Sequence, residues 1–206
     1  MRLPWKIKQF IYCLSSEGRL GLSMNRKLLS GGLENFGVSI ESGIFLYRIA
    51  RYKAGKGCIA EIGSGVGRST IFLAAGTKAA KRLPVFAIDP HSGGILHVEK
   101  AERGELKFEN TFETFQENLK IFHVNDYVVP MAMTSLEASQ RWNGAAIRLL
   151  FIAGWHSYEA VKNDIKFWLP FVEAGGYIVF DDYYNSRVPG VRTAIDEMLN
   201  DTIVNF

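Results

Sequence analysis

Ala60-Glu61-Ile62-Gly63-Ser64-Gly65-Val66-Gly67-Arg68-Ser69-Thr70 ends an apolar run that begins at Cys58 and leads into a stretch with helical spacing. Glycine is needed where a backbone must take positive φ or approach a ligand closely, and here three fall within five residues between a strand and a helix. The turn therefore reads as a ligand cradle, against the plainer reading of a turn that only packs helix on strand. A dinucleotide fingerprint, Gly-x-Gly-x-x-Gly, asks for glycine where Arg68 stands, so NAD loses ground. Glu61, two residues before the first glycine, would repel a pyrophosphate. It suits a cationic amino-acid headgroup, held directly or through water.

Outward from this turn, short apolar runs recur at Val85–Ile88, Tyr127–Met131, Ile147–Ile152 and Tyr177–Phe180, separated by loops and helical stretches. Strands alternating with helices predict a parallel sheet. The second run ends in Asp89, 26 residues after Gly63. A carboxylate there can accept both hydroxyls of a ribose; in isolation it would read as a turn or cap aspartate before Pro90. A helix is expected from Ser39 to Tyr52, with Ile40, Ile44, Tyr47 and Ala50 on one face. Another carries Val161, Ile165, Trp168 and Leu169 on one face, stopped by Pro170 and Gly175-Gly176. Ser92 to Asn110 has no clear period and reads as a long loop or lid.

The chain has 206 residues, 48% hydrophobic and 22% charged, enough for one α/β domain with a sizeable core. A net charge of +3 with scattered cations demands no nucleic-acid partner. Cys13 and Cys58 fit no metal or redox spacing and read as thiols in a reducing compartment, by default the cytoplasm. The basic, partly apolar N-terminus, MRLPWKIKQFIYCL, is broken by Lys6, Lys8 and Gln9 and reads as an amphipathic helix. It would pack on the domain or a second subunit, with membrane contact through Trp5, Phe10 and Ile11 the lesser alternative. No stretch approaches the roughly 18–20 apolar residues of a membrane span. Residues 1–37 are expected to be a helical or irregular extension, and 38–206 the ligand-binding domain.

Glu61 to Ser69 with Asp89 resembles the cofactor site of class I S-adenosylmethionine-dependent methyltransferases, and the likeness extends over roughly residues 38–200. Within them, Phe151-Ile152-Ala153-Gly154-Trp155-His156-Ser157-Tyr158-Glu159, Leu169-Pro170, Gly175-Gly176 and Asp181-Asp182-Tyr183 resemble methyltransferase family 24, the small-molecule and sugar O-methyltransferases. The resemblance implies a Rossmann-like α/β fold, a mainly parallel sheet with helices on both faces. It also implies S-adenosylmethionine over the first two strand ends and a small hydroxylated acceptor, a sugar for example, near the fourth and fifth. Gly63, Ser64, Gly65 and Gly67, with Glu61 and Ser69, would hold the methionine part. Asp89 would take the ribose, and Thr134 and Ser135 the adenine.

His156, at a strand end, is placed to take a proton from an acceptor hydroxyl, and its ordinary pKa leaves it largely neutral at pH 7. The competing role is helix capping or packing beside Ser157, while Tyr158 and Glu159 read as structural. Relatives usually carry Ile-Asp-Gly-Asp-His-Ser-Tyr, whereas Ala153 and Trp155 occupy the two aspartate positions here. The first of those aspartates is commonly a metal ligand in metal-dependent relatives. With it missing, the expectation is a metal-independent enzyme, and Asp181 and Asp182 are the ligands if Mg²⁺ is held at all. Otherwise Asp181 or Asp182 would orient His156 or bind an acceptor hydroxyl, and Trp155, with Tyr183 nearby, would face the acceptor. The plainer readings are a solvated turn for the acidic pair and a hydrophobic plug for Trp155. Relatives continue into two further strands after Leu199, of which at most one fits Asp201–Phe206. The C-terminal part of the sheet is thus expected to be incomplete, through truncation, a shortened gene product or completion by a homo-oligomer. The reading that emerges is an O-methyltransferase. Its rivals are a catalytically degenerate S-adenosylmethionine-binding protein and, more remotely, an NAD-dependent oxidoreductase.

Overall fold

The computed structural model describes residues 37–53, 55–92 and 111–204, with side chains to residue 200. The expected N-terminal helix, Cys13 and nearly all of the Ser92–Asn110 loop lie outside these residues. In chain order the elements are α1 (Ile40–Tyr52), β1 (Cys58–Ile62), α2 (Arg68–Ala80), β2 (Val85–Ile88), α3 (Phe112–Ile121), β3 (Val128–Met131), α4 (Ser135–Gln140), β4 (Ile147–Ile152), α5 (Tyr158–Trp168), β5 (Val172–Phe180) and α6 (Pro189–Val204). The five strands form one parallel sheet in the order β3-β2-β1-β4-β5.

Why the two central runs are strands follows from burial on both faces. Every residue of β1 and β4 is buried, and such strands must be apolar throughout rather than alternating. Alternate residues still divide between the faces. Ile59, Leu149 and Phe151 join Leu46, Tyr47, Phe72 and Phe115 of α1, α2 and α3 in one core. Ala60, Ile62, Leu150 and Ile152 join Val161, Ile165, Trp168, Val191 and Ile195 of α5 and α6 in the other. Ser39 caps α1, accepting from the Ser42 amide at 3.1 Å. The expected face of α1 is adjusted, with Leu46, Tyr47, Ile49 and Ala50 buried and Ile40 and Ile44 only partly so.

Two expectations are corrected. Gly175 and Gly176 do not end the preceding helix, which stops at Trp168 and passes into a 3₁₀ turn at Leu169–Phe171 containing Pro170. They lie inside β5, where the register jumps from Ile147↔Val172 to Leu149↔Tyr177. Gly175, at φ 80°, turns the bulge, and Glu173 within it accepts the amides of Lys56 and Gly57, each at 3.1 Å. The second correction concerns the C-terminal strand allowed over 201–206: residues 201–204 continue α6. Among the described residues no helix is long and apolar enough to cross a membrane.

The sheet register positions the site. Ile62 pairs with Ile88 and with Ile152, Ile88 with Met131, and Ile152 with Phe180, so five strand ends lie level. The ladder runs one step further through Gly63 N–H to Ile88 O, Ala153 N–H to Ile62 O, and Asp181 N–H to Ile152 O, at 2.8, 2.8 and 3.0 Å. β1 connects to β2 on one side, and β4 lies on the other. Between β1 and β4 the strand order reverses, which opens a crevice at their carboxyl ends where open α/β sheets bind ligands.

Candidate active site

After Ile62 the main chain turns through Gly63, Gly65 and Gly67, at φ 87°, 51° and 92°. A Cβ on Gly63 would stand 2.3 Å from the Ala153 carbonyl oxygen, so only glycine lets β1 and β4 leave the sheet side by side. A Cβ on Gly65 would meet nothing within 4 Å, so this part of the turn faces open space. Buried polar atoms surround it: Glu61 Oε1 and Ser64 Oγ have no hydrogen-bond partner. Buried polar groups are normally paired, so these two suit a bound polar ligand.

Glu61 is fully buried, and its Oε2 accepts from the Thr70 hydroxyl at 2.5 Å. Burial pushes its carboxyl up to about 7, against the Ser69 and Thr70 hydroxyls that favour the charged form, while Asp89 adds to the rise. A cationic headgroup would complete its pairing. Asp89 is held by main chain, with Oδ2 accepting from Gly65 N–H at 2.8 Å and Oδ1 from His91 N–H at 2.6 Å. Thr134 and Ser135 follow β3, and their hydroxyls already have partners. Thr134 caps α4 in a reciprocal capping box with Glu137, and Ser135 Oγ accepts from Trp168 Nε1 at 2.9 Å.

At the ends of β4 and β5 the second half assembles. Ser157, not His156, caps α5, accepting from Ala160 N–H at 3.3 Å. That leaves the His156 ring to point at the β5 exit, where Nε2 lies 3.4 Å from Asp182 Oδ2. Asp182 reaches this position from φ 59°, a left-handed conformation that aspartate tolerates better than most residues. Asp181 alongside has its carboxyl raised, first by burial and then by Asp182, with His156 opposing. One ligand atom from each of His156, Asp181 and Asp182 falls within 4.8 Å of the others. The acidic pair is half-buried rather than a freely solvated turn. Trp155 is 47% exposed rather than a buried plug. Tyr183 donates its hydroxyl to Asp196 Oδ1 on α6 at 2.6 Å, and its ring meets Tyr184 edge-on at 4.8 Å. Tyr158 is likewise tied to α6, donating to Glu197 at 2.5 Å.

Sequence reasoning missed two buried groups beside the site. His91 follows Asp89 by two residues and is 3% exposed, and Asp164 of α5 is 6% exposed. Burial pushes the Asp164 carboxyl up to about 6, opposed by a hydrogen bond with Ser135. Asp164 gives a faint signal, a carboxylate one position before Ile165 of the apolar face.

Glu61 and Asp164 together dictate a pH dependence. Each has a folded pKa above its unfolded value, so its contribution is fully present below about pH 4 and lost as pH rises toward 6 and 7. Ligand-free protein is expected to lose thermal stability between about pH 4 and 7, Glu61 alone accounting for about 3 kcal/mol. Glu61→Gln should flatten that slope in melting curves; an unchanged slope would contradict the assignment.

The family model for a methyltransferase domain, family 24, matches residues 60–183. An uncharacterized protein, R132, of Acanthamoeba polyphaga mimivirus is 33% identical over 104 residues, covering 50% of this chain and 43% of that protein. The chain thus matches less than half the length of that relative. Among solved structures, the O-methyltransferase from Bacillus cereus in complex with SAH superposes with a TM-score of 0.63 at 19% identity, covering 91% of this chain and 80% of that one. CalS11, a TDP-rhamnose 3'-O-methyltransferase of calicheamicin biosynthesis, superposes at 0.52 and 18% identity, covering 94% and 89%. With the glycine turn, the strand-end acids and a family match over more than half its length, the chain belongs to methyltransferase family 24, within the class I S-adenosylmethionine-dependent methyltransferases.

Proposed function

We propose that the protein transfers the methyl group of S-adenosylmethionine to a hydroxyl of a small ring-bearing acceptor, a sugar or glycoside, in a reducing compartment such as the cytoplasm. The observation that carries this reading is the 3.4 Å approach of His156 Nε2 to Asp182 Oδ2 at the rim that also holds the glycine turn. S-adenosylmethionine, when bound, supplies an electrophilic methyl on a sulfonium. The chain's own residues do the rest.

Glu61, Ser64 and the Gly63–Gly67 turn bind the amino-acid end, and Asp89 the ribose. Thr134 and Ser135 lie at the β3 exit, where their main chain would border the base. His156 would take the acceptor's hydroxyl proton as the acceptor oxygen bonds to the methyl carbon and the carbon–sulfur bond breaks, S-adenosylhomocysteine leaving, and Asp182 would orient the ring and stabilise the imidazolium. Trp155, exposed beside His156, offers a flat face on which a sugar ring stacks. The TDP-rhamnose specificity of CalS11 supports a sugar acceptor by analogy alone.

His156, Asp181 and Asp182 would also fit a divalent cation that keeps several waters, one nitrogen and two oxygens replacing an all-carboxylate set. Such an ion would lower the pKa of an acceptor hydroxyl. Ala153 and Trp155, at positions where relatives carry aspartate, favour one alternative: a protein that binds S-adenosylmethionine without turnover.

Calorimetric titration with S-adenosylmethionine, with magnesium present and chelated, followed by a labelled-methyl screen over nucleotide sugars, glycosides and catechols, tests these readings. Micromolar binding and label on a sugar oxygen are expected. Binding without transfer to any hydroxyl would replace the proposal by the degenerate reading. Label on catechols alone would remove the sugar.

A further inference from the structure

We propose that His91 is a positioning residue of the cofactor site: its ring and main chain fasten Asp89 between the glycine turn and the start of α3. The inference rests on Asp89 taking the ribose. His91 lies just past the β2 exit at φ 54°, a conformation histidine adopts more readily than most residues. This turn brings its own N–H back to Asp89 Oδ1 at 2.6 Å, while Gly65 N–H binds the other oxygen at 2.8 Å. The carboxylate is thereby fixed in two directions before any ligand arrives.

The ring is buried and held from the far side. Nδ1 lies 3.0 Å from Thr111 Oγ1 and 3.9 Å from Asp89 Oδ1. The His91 carbonyl also accepts from Thr111 N–H at 3.3 Å. Thr111 is the N-cap of α3, yet its hydroxyl makes no capping bond. A capping threonine normally stabilises its helix through that hydroxyl, so the interaction with His91 replaces the cap. Phe112 and Phe115 pack on the ring at 5.0 and 5.1 Å between centroids. Phe115 also lies 3.0 Å from where a Cβ on Gly67 would stand, so the same aromatic wall backs the glycine turn. Burial disfavours the charged imidazole, and Asp89 and the Gly65 main chain oppose that shift. Held neutral, the ring adds no positive charge beside a site meant for a sulfonium cofactor.

Calorimetric titration of S-adenosylhomocysteine into wild type, Asp89→Asn, His91→Ala, His91→Asn and the double variant Asp89→Asn/His91→Ala tests the assignment. Asp89→Asn is expected to raise Kd by about 30-fold or more and His91→Ala by about tenfold. The double variant should bind no more than about twofold weaker than Asp89→Asn, because residues in one network do not add. His91→Asn tolerates the left-handed backbone and retains a polar atom toward Thr111, so it should recover binding to within about threefold of wild type. Additive effects in the double variant, or an unchanged Kd in His91→Ala, would overturn the proposal. An unchanged Kd in Asp89→Asn would instead remove the ribose assignment beneath it. Should His91→Ala lose its cooperative melt, Thr111→Val takes its place, with an expected weakening of about fivefold and the same non-additivity with Asp89→Asn; an unchanged Kd there would overturn the proposal equally.

Discussion

His156→Ala is expected to lower methyl-transfer turnover by about 10²- to 10³-fold while leaving the affinity for S-adenosylmethionine within about twofold of wild type. The asymmetry follows from placement. His156, beyond the end of β4, faces Asp182 just past the end of β5, whereas the glycine turn and Asp89 follow β1 and β2. Its side chain is 25% exposed and does not cap α5, so truncation opens no core cavity and removes no helix cap. Asp182→Asn keeps a group within reach of Nε2 but removes the charge that favours an imidazolium, and a loss of about tenfold in kcat is expected. Steady-state kinetics on the acceptor found by the label screen, paired with calorimetry of the cofactor, would check both. Equal losses of turnover and cofactor affinity in His156→Ala would remove the histidine from the role of base.

Gly63→Ala is expected to be the most damaging single methyl group in the site. Its φ of 87° is costly for any residue with a Cβ, and the added carbon would stand 2.3 Å from the Ala153 oxygen and 2.5 Å from Gly154 Cα. These are main-chain atoms, so no rotamer change relieves the overlap, and β1 and β4 must separate where their ladder continues through Ala153 N–H to Ile62 O. A loss of at least about 3 kcal/mol of stability is expected, together with cofactor binding weakened about 100-fold or more. Gly65→Ala is the control. At φ 51°, with nothing within 4 Å of its added Cβ, it should cost only about 1 kcal/mol of stability while still obstructing the ligand. Melting curves and S-adenosylhomocysteine titrations of the two variants separate strain from obstruction. Equal stability of the two proteins would contradict the close approach of β1 to β4.

The cradle and the strands were legible because their causes are local. An apolar run bounded by glycine or aspartate reads as a buried strand whatever surrounds it, and three glycines in five residues announce a turn that must come close to something. Asp89, His156 and the Asp181-Asp182 pair were visible for the same reason, as polar residues placed where apolar runs stop. Gly175-Gly176 misled because a helix stop and a β-bulge use the same residue for the same positive φ, and only the register shift between β4 and β5 separates them. Thr134 and Ser135 could be placed at the third strand end, but not their engagement with Glu137 and Trp168.

By itself, then, the sequence determined an alternating α/β chain, a glycine turn between its first strand and helix, and the acids and histidine at the strand ends. The tertiary structure alone decided which of these meet. His156 and Asp182 are separated by a helix and a strand, Asp89 and Gly65 by α2 and β2, and His91 and Thr111 by residues that carry no periodic signal. Their distances of 3.4, 2.8 and 3.0 Å depend on the parallel register that levels the strand ends and on where helix α3 begins. Periodicity in a sequence specifies which face of an element is buried. It does not specify how far one element slides against another, and that sliding places a carboxylate on an imidazole or a turn.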